Sequence, residues 1–557
     1  SYFGVRGFGR PTDYNNRILL LIDGHTINEG VYGSMFLDSE MAMNLDAVER
    51  VEIVRGPASA LYGTGALFAV VNVIHRSPRN MAPARIDVER GSFGRTRAGA
   101  TFSRSSGLDR GIAISGLAEH THGQDLYYPE FDDPATSNGI ARDLDYEDRV
   151  GVDVAARLGG LRLRGMLSYR KRGIPTGAYE VAFNHPDSWT SDRIGFAEVE
   201  HRAQPSDVHL LTTRAYYADY FYRGSYPTDV DYLETVTNRA VGGEARFQWD
   251  IAPSNRLIVG TEVRRDFRAD YTYPEEGSTA VLSRPYTVLS LFVQDEVQLA
   301  RNLTVSGGLR HDESSRSKDA TTPRVAVIFD PARQTTLKLM YGKAFRAPTL
   351  AQASFESDGD LRAESLRMLE LIWMQRIGQS LMLTTSLYHY KVSDLIDVST
   401  ETYENLGTVR ARGFETTLDF RPGGPIRGYL NYSVQRAEEE GGPADTQITN
   451  SPKHLAKLGV ASDLGRWATA ALELRHESGR RTVWNTMTDD FVFGTFNLTA
   501  RPFSSRPGSG QLGGLEVGLR ITNLFDTRYW YPGGTQHRQN AIEQNGRGIA
   551  VRIGYEF

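Results

Sequence analysis

Ile549-Ala550-Val551-Arg552-Ile553-Gly554-Tyr555-Glu556-Phe557 sets large apolar side chains at every second position and small or charged ones between them. A period of two belongs to an extended strand whose two faces meet different surroundings. Working back along the chain, the alternation returns. Leu515, Val517, Leu519 and Ile521 alternate with Glu516, Gly518, Arg520 and Thr522. Leu303, Val305 and Leu309 alternate with Thr304, Ser306 and Arg310, and Leu161, Leu163, Leu167 and Tyr169 with Arg162, Arg164, Ser168 and Arg170. Repeated Arg and Glu on the second face fit a wet, polar lumen behind an apolar outer row.

Composition agrees. The 557 residues include 55 glycines, 27 tyrosines and 24 phenylalanines, yet only 40% are hydrophobic and mean hydropathy is −0.40. No stretch approaches the ~20 apolar residues that a membrane helix needs, so a helical membrane protein is excluded. A β-barrel spans a bilayer with this composition, because only alternate residues face lipid while backbone hydrogen bonds close around the ring. Tyr and Phe suit the two interfaces. A soluble propeller or a tandem sandwich would share the alternation. A propeller, however, repeats a signature every ~40–50 residues, and none recurs. The absence of cysteine removes disulfides, thiolate metal sites and cysteine nucleophiles. A net charge of −5 gives no nucleic-acid signal. With neither an initiator Met nor a signal peptide, the sequence reads as a fragment of a longer exported precursor.

Residues 1–80 have another texture. Ile18 to Ile22 and Val51-Glu52-Ile53-Val54 are short apolar runs beside tight glycine turns, with a helical turn expected over Leu45 to Arg50 and a further run at Ala66 to Ile74. Continuous runs suit strands buried on both faces, hence a small α/β globule. From about residue 81 the period becomes two. Long polar inserts are expected at roughly 120–146, 171–192, 219–237, 267–284, 312–322, 349–363, 434–452, 477–490 and 529–546, against short turns such as 253–255 and 331–333. Long outer loops and short periplasmic turns are the asymmetry of an outer-membrane barrel.

Arg55-Gly56-Pro57-Ala58-Ser59-Ala60-Leu61-Tyr62-Gly63, with Val48 to Ile53 before it and Val70-Val71-Asn72-Val73-Ile74 after it, resembles the plug domain of TonB-dependent outer-membrane receptors. Arg6-Gly7-Phe8 and Leu21-Ile22-Asp23-Gly24 match earlier plug motifs. The barrel motifs follow in order: Phe292 to Glu296, Gly308-Leu309-Arg310, Ala344-Phe345-Arg346-Ala347-Pro348-Thr349, Asn405-Leu406-Gly407 with Gly413-Phe414-Glu415, and Ile521 to Asp526. Ala69 stands where the family usually has Gly, and His75 where it has Thr. The resemblance implies a 22-stranded antiparallel transmembrane β-barrel over 81–557, with the C-terminal part of an α/β plug at 1–80 inside its lumen. It also implies that the segment that binds TonB lies ahead of Ser1.

A barrel this wide is open unless something fills it, and a globule with a polar surface fits a polar-walled lumen. Plug arginines pair with barrel glutamates in the family, and Arg55 and Glu415 match that pattern; the alternative is that each meets water or another polar neighbour. Ligand contacts are expected from plug apices, with Arg10, Tyr14, Tyr32 and Met35, and from outer loops, with Tyr127, Tyr222, Arg223 and Trp530. The competing reading of each is packing, or an interface aromatic. Receptors of this family that take haem carry an axial His after the Phe-Arg-Ala-Pro box; Thr349 to Asp360 contains none, which disfavours haem. Glu130-Phe131-Asp132-Asp133 and Asp229-Val230-Asp231 could offer oxygens to Ca²⁺ but lack a calcium-loop spacing, so no resident metal or cofactor is expected.

The resemblance implies a monomeric outer-membrane receptor for energised uptake of a ferric siderophore, powered by TonB and its inner-membrane complex. The open alternatives are uptake of cobalamin or another organic chelate, and a surface receptor or signal transducer with little transport. No nucleophile–base constellation suggests an enzyme.

Overall fold

In the computed structural model, which describes residues 3–11, 13–36, 40–107, 109–228, 231–275, 278–356, 361–398, 402–441, 446–503 and 510–557, the alternating stretches form one closed antiparallel barrel of 22 staves. The last, Gly548–Glu556, pairs with the first, Ala84–Gly91, setting Ala550 opposite Gly91 and Glu556 opposite Arg85. Closure leaves no unpaired sheet edge in the bilayer. One hairpin strand, Ser278–Ser283, is extra: it pairs with the top of Asn255–Glu275, whose lower part pairs with Tyr286–Ala300.

The alternation decides which way each side chain points. Ile549, Val551 and Ile553 are 46%, 46% and 56% exposed on the outer surface. Between them, Arg552 Nε donates to Asp87 Oδ2 at 3.1 Å in the lumen, and Arg85 Nη2 to Glu516 Oε1 at 2.6 Å. Lipid can therefore cover the apolar row, while the charged row is satisfied inside. Among the described residues no helix is long and apolar enough to cross a membrane; the staves do the crossing.

Two stretches expected to be loops, 219–237 and 267–284, are largely strand. His209–Pro227 runs into a hairpin with Asp231–Ala252, in which Pro227 faces Asp231, and Asn255–Glu275 continues into its own hairpin. Staves of 22 and 21 residues far exceed the ~10 that span a bilayer. Above the lipid a strand needs no apolar row, so its sequence turns polar while its hydrogen-bond ladder continues.

Inside the lumen lies a mixed four-stranded sheet of β1 (Ile18–Ile22), β2 (His25–Thr26), β3 (Val48–Arg55) and β4 (Ala69–His75), in the order β2-β1-β4-β3, with β1 and β4 parallel. The expected helical turn is the 3₁₀ turn Leu45–Ala47, which ends as β3 begins. β1 is buried along its whole length. β3 is not: Val51 and Ile53 are 52% and 54% exposed. The run was expected to be covered on both faces, but it forms an edge strand paired only with β4. After β3 the chain turns at Gly56, at φ +89°, where any Cβ would collide with Met368 of the wall. Only glycine combines that backbone angle with that approach. The helix Ser59–Tyr62 follows, and Ser59 Oγ accepts from the Phe345 amide of the barrel at 3.3 Å.

Candidate functional site

Two constructions carry the chemistry: the seam that seats the plug, and the cavity above it. Arg17, at the start of β1, is 3% exposed. Its Nε and Nη2 reach the Glu364 carboxylate at 3.0 and 2.7 Å, its Nη1 reaches Asp13 at 2.9 Å, and Nη2 also meets the Ile396 carbonyl at 3.0 Å. Arg346 Nε donates to the same Glu364 at 2.6 Å. A buried carboxylate between two guanidiniums keeps its charge only because both are present.

Arg6 is equally enclosed. It pairs with Glu370, lies 3.5 Å from Glu415 and sits 4.5 Å from the Tyr388 ring centroid, while Tyr390 donates its hydroxyl to the Arg6 carbonyl at 3.0 Å. Arg55 Nη1 reaches Glu415 Oε2 at 2.6 Å, so Glu415 is shared by two plug arginines. The Arg55 side chain is 46% exposed, against 3% for Arg17. Solvent screens the Arg55 contact, to the order of 0.2–1 kcal/mol. Removing one partner from the Arg17 group strands a buried charge, at a cost of ~3–5 kcal/mol. The family pattern pointed to Arg55; Arg6 and Arg17 were the stronger candidates, signalled by arginines set among buried apolar residues.

On the opposite flank Arg164 and Arg214 donate to the carbonyls of Asp23 and Gly24 at 3.0 and 2.8 Å. His25 stacks on Phe196 at 4.2 Å and contacts Glu198 at 3.1 Å. His75, one departure from the family pattern, donates its backbone N–H to Asp23 at 2.9 Å and places its ring Nδ1 2.7 Å from the same carboxylate. It ties β4 to the turn after β1.

Above the sheet opens a cavity of about 670 Å³. Eight tyrosines line it: Tyr14 and Tyr32 from the plug, and Tyr146, Tyr179, Tyr220, Tyr222, Tyr226 and Tyr531 from the barrel and its loops. The plug apex is held rigidly. The Glu29 carboxylate accepts from the amides of Val31, Tyr32 and Ser34 at 2.6, 2.9 and 2.9 Å. Gly30 packs so tightly on the wall that a Cβ there would stand 2.7 Å from Asp266 Oδ1 and 2.8 Å from the Tyr286 hydroxyl. Tyr32 is thereby set 5.2 Å from the Tyr14 ring and 5.8 Å from Tyr271. Burial pushes the loop carboxyl of Asp145 up to about 6 and the loop imidazole of His537 down to about 4.

The structure gathers Tyr14, Tyr32, Met35 and Tyr222 in this lining and leaves the other four candidates outside it. Arg10 pairs with Asp397. Tyr127 is exposed and donates to Asp132 at 3.0 Å. Arg223 lies over Trp189 at 5.5 Å, and Trp530 carries Arg528 over its ring at 5.5 Å while its neighbour Tyr531 faces the cavity. A one-residue shift on a strand reverses the facing, which is why Trp530 and Tyr531 exchange roles. Tyr220, beside Tyr222 in the same expected wall, also lines the cavity, and Tyr179, Tyr226, Arg475 and Arg480 line it without having been candidates; they come from distant staves and loops, and only closure of the ring brings them together. Of the acidic stretches considered for Ca²⁺, Asp133 caps the Ala135 amide at 2.8 Å, while Asp229 and Val230 lie outside the described residues, as do Thr12 of the first plug turn and positions 357–360 of the stretch searched for a haem ligand.

The chain matches the family model "TonB dependent receptor-like, beta-barrel" over residues 110–524 and "TonB-dependent Receptor Plug Domain" over residues 1–70. Among solved structures it is similar to the FrpB iron transporter of Neisseria meningitidis, at 15% identity and TM-score 0.78, covering 100% of this chain and 93% of that one. It is similar also to the ferric enterobactin receptor PfeA of Pseudomonas aeruginosa (16%, 0.77, covering 99% and 92%) and to the siderophore receptor PiuA of Acinetobacter baumannii (16%, 0.74, covering 100% and 91%). At these identities the likeness is one of fold.

Proposed function

Because the chain belongs to the TonB-dependent receptors of the outer membrane, we propose that it takes up a ferric siderophore by energised transport, with TonB and its inner-membrane complex supplying the work. The observation that carries this reading is a rigid, aromatic cavity standing directly on a plug that is held by polar contacts. A chelate bound there touches Tyr14, Tyr32 and Met35 of the plug itself, so occupancy and plug position are coupled. Polar contacts can be exchanged for water at little net cost, which suits a plug that is pulled aside and returns. The structural neighbours' names, an iron transporter, a ferric enterobactin receptor and a siderophore receptor, favour iron over a corrinoid.

Within this reading Arg55 and Glu415 latch plug to barrel. A double-mutant cycle read by hydrogen exchange of plug amides should return a coupling of about 0.5 kcal/mol; zero coupling would remove the latch. Transport itself is tested by cells expressing the receptor and supplied with iron-labelled siderophore. Uptake should stop when a protonophore collapses the inner-membrane gradient. Uptake that continues undiminished would defeat the energised mechanism.

A further inference from the structure

The charges around the cavity narrow the chelate. Among the described residues six carboxylates line it, Glu40, Asp145, Glu147, Asp192, Glu234 and Glu477, against four guanidiniums, Arg170, Arg172, Arg475 and Arg480. Its formal charge is therefore −2 with His537 neutral. Placement sharpens the count. Arg475 and Arg480 share the single carboxylate of Glu477, the former at 3.3 Å, which leaves one positive charge on that wall. Arg170 pairs with Glu147 at 3.1 Å, and exposed Arg172 is the cross-strand neighbour of that same Glu147.

Glu234, Asp145 and Asp192 each accept from a neutral donor. Glu234 accepts from the Tyr271 hydroxyl at 2.6 Å, and Asp145 from the Gln124 amide at 3.1 Å. Asp192 accepts from Tyr220 at 3.0 Å, with Arg170 no nearer than 4.0 Å. A hydroxyl or amide satisfies a carboxylate's lone pairs without cancelling its charge.

A cavity with this field repels a polyanion and leaves aromatic faces and hydroxyls to do the recognising. Tyrosine rings attract cations and stack on flat, neutral groups. We infer that the cavity selects a neutral or cationic chelate, such as iron held by three hydroxamates with or without a pendant amine, over polyanionic catecholate or citrate complexes. The inference rests on the uptake reading above and specifies its substrate class.

The test is equilibrium binding to the full chain in detergent, using four probes: a neutral ferric trihydroxamate, an amine-bearing cationic one, a trianionic ferric tris-catecholate, and cyanocobalamin. The neutral and cationic hydroxamates should bind roughly tenfold or more tighter than the tris-catecholate. Raising salt should narrow that gap, because screening weakens repulsion of the trianion and leaves the neutral probe unaffected. Glu234→Gln and Asp192→Asn keep a partner for each tyrosine hydroxyl. They should raise the ratio of tris-catecholate to neutral-hydroxamate affinity several-fold, and an unchanged ratio would overturn the charge selection. Tighter binding of the tris-catecholate by the unaltered chain, weakening with salt, would overturn the charge selection and leave iron uptake standing. Cyanocobalamin bound alone would overturn the iron reading and uphold the charge selection. Binding of none of the four would overturn both.

Discussion

β1 and β3 belong to one sheet, separated only by β4, and they meet opposite surroundings. Ile18–Ile22 is sealed on both faces, with Leu20 fully inaccessible, whereas Val51 and Ile53 stand more than half exposed. In sequence Ile18–Ile22 is uninterrupted, whereas Val48–Arg55 carries Glu49, Arg50 and Glu52 among its apolar residues. The difference in burial comes from what flanks them. β1 has a strand on each side and begins at Arg17, whose guanidinium is locked to Glu364 of the wall. β3 has a neighbour on one side only, and its terminal Arg55 is half in solvent. The plug is thus fastened hard along one flank and lightly along the other. A pulling force should yield first on the β3 side, where interactions are few and wet.

Substitutions can break that contrast. The largest effect is expected from Glu364→Ala, which leaves Arg17 and Arg346 buried without their shared counter-ion. Hydrogen exchange at the β1 amides should report a loss of ~3–5 kcal/mol, and a loss below about 1 would mean that the fastened flank is not electrostatic. Next comes Gly56→Ala at the end of β3. A side chain at φ +89° and against Met368 should cost ~1–3 kcal/mol, read as earlier exchange in β3 and β4.

A smaller effect depends on pH. Burial opposes the charge of His75, yet its hydrogen bond and attraction to Asp23 prevail and raise the imidazole above its ordinary range. Asp23 is likewise disfavoured by burial, and the bond to His75 holds it below its ordinary range. A raised His contributes stability fully below its unfolded value of about 6.5 and loses it as pH rises through the folded value; a depressed Asp contributes above about 3.8 and loses it in acid. Exchange at β4, corrected for intrinsic rates, should therefore quicken as pH climbs from about 6 to 9. In His75→Gln this dependence should vanish; its persistence would assign it to another group. The smallest effect sharpens the comparison from the other side. Ile53→Thr on exposed β3 should change stability by less than about 0.5 kcal/mol, while Leu20→Ala in β1 should cost ~2–5.

The barrel was the most legible part, because a period of two tells lipid face from lumen face wherever there is lipid. That signal failed above the bilayer, at 219–237 and 267–284, where both faces are wet and a strand is as polar as a loop. The Arg55–Gly63 turn was legible because Gly56 has a backbone requirement that no other residue meets. Of the ligand candidates, Tyr14, Tyr32, Met35 and Tyr222 reach the cavity; Arg10, Tyr127, Arg223 and Trp530 do not. Local sequence marks an aromatic or a cation as available without saying which way it faces once staves tilt and close.

By itself, then, the sequence determined that the chain crosses the membrane as strands, that a segment of different texture precedes the alternating staves, and which side of each stave meets lipid. These follow from local periodicity and from backbone rules that act over a few residues. Only the tertiary structure decided that Glu364 serves Arg17 and Arg346 together, that β3 is an edge, and that tyrosines from residue 14 to residue 531 surround one cavity with an excess of carboxylates. Such facts depend on register and ring closure, which join residues hundreds of positions apart and leave no mark in any one stretch of chain.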